Sequence, residues 1–158
     1  MTKAQIPLNE DARIAVLRRY GILDVPSDGV LDSISQTAAN LCDVPVALIS
    51  LVDSNRIWLK SCVGFPQGEV TREFAFCSYA ILNPSSLLEV EDASLDERFR
   101  HNALVTGEPH IRFYAGQPLV TRDGFALGTL CVIDSKPRRL SDSQRDGLAQ
   151  LGNAVIEL

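Results

Sequence analysis

Apolar residues at Leu31, Ile34, Ala38 and Leu41 repeat every three or four positions, so Val30–Leu41 is predicted to be a helix with one buried face. The period then changes. Val46–Val52 is a nearly unbroken apolar run rich in β-branched residues, closed by Asp53-Ser54-Asn55 and followed by Arg56–Val63, which predicts a hairpin. Upstream, Asn9–Tyr20 reads as a helix: Asn9 suits the N-cap, Glu10 and Asp11 the positive end, Arg18 and Arg19 the last turn, and Gly21 the residue after it. Ser27 or Asp28 is placed to cap the second helix.

The middle of the chain is mixed. A short helix is expected around Phe76–Leu82, stopped by Asn83-Pro84, then a strand at Leu87–Val90, the acidic turn Glu91-Asp92-Ala93, and one helical turn at Leu95–Phe99. Ile111–Val120 and Phe125–Ile133 are strands about Thr121-Arg122-Asp123-Gly124, where Asp-Gly marks a hairpin because glycine tolerates positive φ. Ser141 and Gln144 have capping-box spacing at the start of a closing helix. This order predicts an α+β fold with a mostly antiparallel twisted sheet flanked by helices, in one domain over 9–158 behind an N-terminal tail of residues 1–8.

Composition narrows the function classes. The 158 residues are 46% hydrophobic and 22% charged, as expected of a globular protein that needs no staple and is not disordered. A net charge of −5 with scattered basic residues argues against nucleic acid as a partner, since a phosphate backbone needs clustered cations. Cys42, Cys62, Cys77 and Cys131 show no CxxC spacing and read as reduced thiols of a cytoplasmic protein. No signal core or membrane span is present, so membrane insertion is not expected. The chain ends inside an apparent helix, which suggests a piece of a longer protein.

Several long motifs in order resemble a known family. Phe76-Cys77-Ser78-Tyr79-Ala80-Ile81-Leu82, Asp92-Ala93, Asp96-Glu97-Arg98-Phe99, Ile111-Arg112-Phe113-Tyr114-Ala115-Gly116 with Pro118-Leu119, and Gly128-Thr129-Leu130-Cys131-Val132-Ile133-Asp134 with Pro137-Arg138 look like a bacterial GAF domain. The opening from Asn9-Glu10 to Tyr20-Gly21-Ile22-Leu23-Asp24 is similar to sequences that begin such proteins, and the likeness extends from about residue 9 to the end. The resemblance implies a GAF-like, PAS-related fold with helices on one side of the sheet, terminal helices packed together, and a ligand pocket on the other side under the crossover. It also implies a sensory, non-enzymatic module of a bacterial signal-transduction protein, such as a two-component histidine kinase or diguanylate cyclase, with a linked output domain.

If the crossover folds as in that family, the candidate ligand-binding residues are Phe76, Cys77, Tyr79, Asp92, Asp96, Phe99, Phe113 and Tyr114; otherwise they only pack and pin loops. No cofactor is identified, and the ligand is an unnamed small molecule. Bilin-bearing relatives often carry Cys-His, whereas Cys77-Ser78-Tyr79 lacks the histidine and Cys77 reads as a small buried hydrophobe. The cyclic-nucleotide pattern of the family is matched by Asp96-Glu97 and Phe99 only in the wrong order and spacing. The enzyme alternative is a free methionine sulfoxide reductase, also a GAF protein; Cys77 stands near one of its thiol positions, but residues 83 to 130 contain no cysteine to resolve a sulfenate. No metal is expected, because His101 and His110 lack ligand spacing; Asp96 and Arg98 read as a loop-fixing pair. Trp58 and Lys60 share a face of the second strand and mark a candidate pocket border or interface.

Leu148, Leu151, Val155 and Leu158 have the three-four-three rhythm of a coiled-coil seam, which an amphipathic helix covering a sheet also shows. Two copies of the seam, half buried, would contribute roughly 6–12 kcal/mol. Association costs on the order of 4–15 kcal/mol. The expectation is therefore a homodimer that also recruits the Asn9–Tyr20 helix.

Overall fold

A computed structural model describes residues 3–72 and 75–157. The first helix forms as α1 (Glu10–Arg19), although Asn9 at its N-cap position makes no side-chain capping bond. The second, α2 (Gly29–Cys42), is capped by Asp28, whose carboxylate accepts from Leu31 N at 2.9 Å. The first hairpin is β1 (Val46–Val52) and β2 (Arg56–Val63), extended by an edge strand β3 (Gly68–Thr71). A crossover follows, made of α3 (Phe76–Ala80), β4 (Leu88–Val90), a 3₁₀ turn at Ala93–Leu95 and α4 (Ala103–Thr106). The helical turn thus sits just before the expected Leu95–Phe99, because the Asp92 carboxylate caps it through Ser94 N at 3.0 Å. The second hairpin is β5 (Phe113–Val120) and β6 (Ala126–Asp134), and α5 (Asp142–Glu157) closes the chain.

The strand order is β3-β2-β1-β6-β5-β4, antiparallel throughout. Both central strands, β1 and β6, are buried along their whole length. That is why their sequences are continuous apolar runs rather than alternating ones. One face carries Ala47, Ile49, Phe113, Leu130 and Val132 against α2 and α5, with α1 packed beside them through Val16 and Leu17 on Leu51 and Leu127. The other carries Leu48, Ile57, Tyr114, Cys131 and Ile133 against α3, Phe99 and Val105. The helices of the two ends therefore lie on one layer, where α5 packs on α2 and the sheet, and α1 on β6.

Two turn devices act as the sequence implies. Gly124 adopts φ +88° and donates to Thr121 O at 2.9 Å, closing the second hairpin. Ser141 and Gln144 form a reciprocal capping box, with bonds of 2.8 and 3.1 Å, at the head of α5. A β-bulge in β2 is less expected. Ile49 pairs with Ser61 and Ser50 with Leu59, leaving Lys60 as the extra residue. Lys60 and Ser61 consequently both turn toward the helical layer, where Ser61 Oγ lies 2.8 Å from Ser35 Oγ and donates to Asp32.

The proposed dimer seam needs correction at its first residue. Leu148 is fully buried in the domain's own core, and Leu151 and Val155 are half-buried against it. The three-four spacing there serves the intramolecular face first. Leu158 lies outside the described residues.

Candidate functional site

The crossover face encloses a chamber of about 50 Å³, floored by the central strands and roofed by α3, with Leu48, Ile57, Phe76, Cys77, Tyr114 and Cys131 on its walls. A cavity needs roughly 10–15 Å³ to hold one water. The space as it stands therefore admits only a few. Its size is set by an aromatic stack. The Phe76 ring lies 4.2 Å from Phe99 and 4.9 Å from Tyr114, centroid to centroid, and Tyr79 meets Phe99 edge-on at 4.9 Å. Offset and edge-on contacts of this kind add about 0.5–1.5 kcal/mol each beyond area burial.

Polar side chains lie behind this apolar lining. Tyr114 Oη and Thr129 Oγ1 are both fully buried; they approach each other and the Cys131 thiol, but neither makes a hydrogen bond of normal geometry. Gly116, two residues along β5 and on the same face, makes room for the phenol: a Cβ there would stand 2.3 Å from Tyr114 Oη. Burial raises the Tyr114 phenol well above its ordinary range, so it stays a neutral donor. A buried hydroxyl left unpaired costs roughly 1–3 kcal/mol. Such a cost is ordinarily avoided in a core.

Four of the eight candidate ligand residues meet at or around this chamber: Phe76, Cys77 and Tyr114 on its wall, and Phe99 stacked behind Phe76. Tyr79 supports Phe99 from outside. Phe113 does not join them; neighbouring strand residues point to opposite faces, and Phe113 sits in the helix-side core. Asp92 and Asp96 also stand apart, on an open surface depression with Glu91 and Arg138. Asp96 pairs with Arg98 at 2.8 Å, and that hydrogen bond holds its carboxyl below the ordinary range. The Arg98 guanidinium in turn lies 4.9 Å from the Phe99 ring centroid, so the pair braces the aromatic stack. Thr129 and Gly116 were absent from the sequence-based set. Both lie in motifs recognised by family likeness, and strand alternation from Tyr114 and Cys131 is the signal that places them.

The cysteines do not form a reactive group. Burial pushes the Cys77 thiol far up and Cys131 up to about 11; Cys42 also rises to about 11. Half-buried Cys62 is raised by the same cause. Thiol nucleophiles act as thiolates, which such environments suppress. Among the described residues no group of three or more His, Cys, Asp or Glu side chains is placed to hold a metal ion. Nor is any described helix long and apolar enough to cross a membrane.

An antiparallel sheet with a helical layer on one side and a small chamber under a crossover on the other defines a sensor-type domain. The family model for the GAF domain matches residues 27–156, and the chain belongs to that family. It is 44% identical over 138 residues to the cyclic di-GMP phosphodiesterase PA2567 of Pseudomonas aeruginosa, covering 87% of this chain and 23% of that protein. The chain therefore spans about a quarter of that relative's length. Among solved structures, the GAF domain of an Acinetobacter phosphoenolpyruvate-protein phosphotransferase superposes with a TM-score of 0.68 at 20% identity, over 95% of this chain and 92% of that one. The type II free methionine-R-sulfoxide reductase of Thermoplasma acidophilum gives 0.68 at 12% identity, over 89% and 93%. At these identities the two structures show a shared fold. GAF domains occur in multidomain signalling proteins, and this chain carries the fold of one.

Proposed function

We propose that this GAF domain is the regulatory, ligand-binding and dimerising part of a cytoplasmic signalling protein, linked to an output domain that acts on cyclic di-GMP. The observation that carries the ligand reading is a pair of buried hydroxyls without a normal hydrogen bond, Tyr114 on the wall of an apolar chamber and Thr129 further along the same face of the sheet. The ligand is a small, mostly apolar molecule with a polar end that pairs with them. Occupancy moves the Phe76 ring and α3 outward, and only a difference in affinity between the contracted and open states is transmitted. The linkage to cyclic di-GMP rests on the 44% identical relative. The buried thiols favour this reading over sulfoxide chemistry.

Tyr114→Phe separates a binding hydroxyl from a structural one. It removes a buried polar atom that makes no normal hydrogen bond, so the ligand-free domain should gain about 1 kcal/mol, at the low end of the penalty for such an atom. For a domain of this size that is a rise of roughly 2–4 °C in Tm by differential scanning calorimetry. The same variant should lose the melting shift that small-molecule ligands give the wild type. A fall of similar size in Tm would make the hydroxyl a structural group and remove the main support for the reading.

Dimerisation through the terminal helices is also proposed, in a weaker form than four seam residues would give. Exposed Tyr20, Val25 and Val30, together with half-buried Leu151 and Val155, supply the apolar surface. Sedimentation equilibrium should show a monomer–dimer exchange in the high micromolar range. A monomer throughout that range would contradict it.

A further inference from the structure

On the helical side of the sheet lies a second cavity, of about 360 Å³, between the end of α1, the loop leading to α2, and the last turn of α5. Leu31, Ile49, Leu51, Leu119 and Leu127 form most of its wall, and Val155 and Ile156 close one side. The polar side chains on the wall are Tyr20, Asp28 and Lys60, and of these only Lys60 is buried. The β2 bulge aims it into the helical layer, and its side chain is 6% exposed. Its ammonium donates to three main-chain carbonyls of the α1–α2 loop, Ile22 O at 3.3 Å, Val25 O at 2.9 Å and Pro26 O at 3.2 Å. Among the described residues no carboxylate lies within ion-pair distance of it. The acidic residue on the wall, Asp28, is solvent-exposed and caps α2.

A buried cation without a counter-charge is costly, and dipoles of carbonyl groups compensate it only in part. An anion reaching it from the cavity would complete the pairing in a medium where charge attraction is strong. Away from the exposed Tyr20 and Asp28, the rest of the lining is apolar. The cavity's volume of about 360 Å³ lies at the small end of the roughly 300–1,000 Å³ typical of small-ligand pockets.

We infer that this cavity is a second ligand site, for an amphipathic monocarboxylate of about ten carbons whose head group pairs with Lys60 and whose chain lies along Leu127 and Leu119 toward Val155. The carboxylate takes the place of Ile22 O, the longest of the three lysine contacts. The acid thereby loosens the Gly21–Pro26 loop and packs on the end of α5. The site stands on the opposite face from the Tyr114 chamber and does not depend on ligand binding there.

Sodium decanoate titrated into the wild-type domain tests it, read by calorimetry and by the fluorescence of Trp58. Trp58 is the single tryptophan of the sequence, and it packs on the cavity residues Leu51 and Leu127. One saturable site is expected, with 1-decanol bound at least tenfold more weakly. Lys60→Met should weaken decanoate at least tenfold and leave decanol unchanged, and Val155→Trp, which fills the cavity, should abolish both. Tyr114→Phe should change neither. If Lys60→Met does not fold, the decanoate-to-decanol ratio on the wild type decides alone. Absence of saturable decanoate binding, equal affinity for acid and alcohol, or loss of binding on Tyr114→Phe would each overturn the proposal.

Discussion

Gly128→Ala should leave the domain unable to complete its sheet. Gly128 lies in β6 opposite Leu51 of β1 and Leu119 of β5, at the centre of the six strands. A Cβ built there would stand 1.8 Å from Ser50 O and 2.9 Å from Leu51 Cα. Both are backbone atoms of the neighbouring strand, so no side-chain rotation relieves the clash; the two most buried strands would have to separate. Ordinary overpacking costs roughly 1–3 kcal/mol. Moving central backbone belongs with the exceptional losses of about 4–5 kcal/mol or more, a large share of the roughly 5–15 kcal/mol that holds a domain together. Urea denaturation followed by circular dichroism should show no cooperative transition, or a midpoint far below the wild type. Gly29→Ala is the control. Its Cβ meets nothing within 4 Å, and the variant should match the wild type or exceed it slightly. A Gly128→Ala midpoint equal to the wild type would mean that the β1–β6 pairing differs from the one described.

The second large effect concerns Glu10. Its carboxylate accepts from Arg13 Nε at 2.8 Å and Nη2 at 3.2 Å, and from both terminal nitrogens of Arg72. Arg13 is 1% exposed and Arg72 is 4% exposed. Arg13 also donates to Ala126 O at the start of β6, and Arg72 to Asp53 O and Ser54 O in the β1–β2 turn. One carboxylate thus ties α1 to two hairpins and to the segment that leads into α3. Removing one member of a buried ion pair costs roughly 3–5 kcal/mol because the other charge stays buried. Glu10→Ala strands two guanidiniums but opens a path for water at a partly exposed group, so about 3 kcal/mol is expected.

The pH dependence has a definite sign. Burial alone would raise the Glu10 carboxyl, but hydrogen bonds from Arg72 and Arg13 outweigh it and hold the group below its ordinary 4.5. A lowered carboxyl gives stability that is present above the unfolded-state value and is lost as pH falls through the folded one. Wild-type unfolding free energy should therefore drop as pH falls from about 5 toward 3, with a shallower drop for Glu10→Ala. Parallel curves would show that the carboxylate is not ion-paired as described.

The elements that local chemistry dictates were readable from the sequence. Asp28 before an apolar three-four repeat, Asp123-Gly124 between two apolar runs, and Ser141 three residues before Gln144 each specify a cap or a turn through neighbouring atoms. Elements held by tertiary contact were not readable. The edge strand Gly68–Thr71 is short, half-exposed and begins with glycine, so it has no apolar pattern and exists because β2 offers it partners. The four-residue α4 depends on Asn102, whose side chain accepts from Leu104 N.

The site was half legible for a related reason. Phe76, Phe99 and Tyr114 belong to recognisable motifs, and the structure does stack them. Phe113 and Tyr114 look equivalent in a strand buried on both faces, and only the register decides which of them meets α3. Leu148 shows the same ambiguity, since a dimer seam and a core-facing stripe share one spacing. The lack of normal hydrogen bonds at Tyr114 and Thr129 depends on separations across three strands. The bulge at Lys60 inverts the alternation after it, which no pattern of residue types revealed.

The central claim is that the Tyr114 chamber is built to hold a small molecule. Native mass spectrometry of the domain purified directly from cells tests it most directly, alongside Tyr114→Phe prepared in the same way. The account predicts an added mass on the wild type that is lost on denaturation and is absent from the variant. The bare polypeptide mass in both samples, or the same adduct on both, would contradict it.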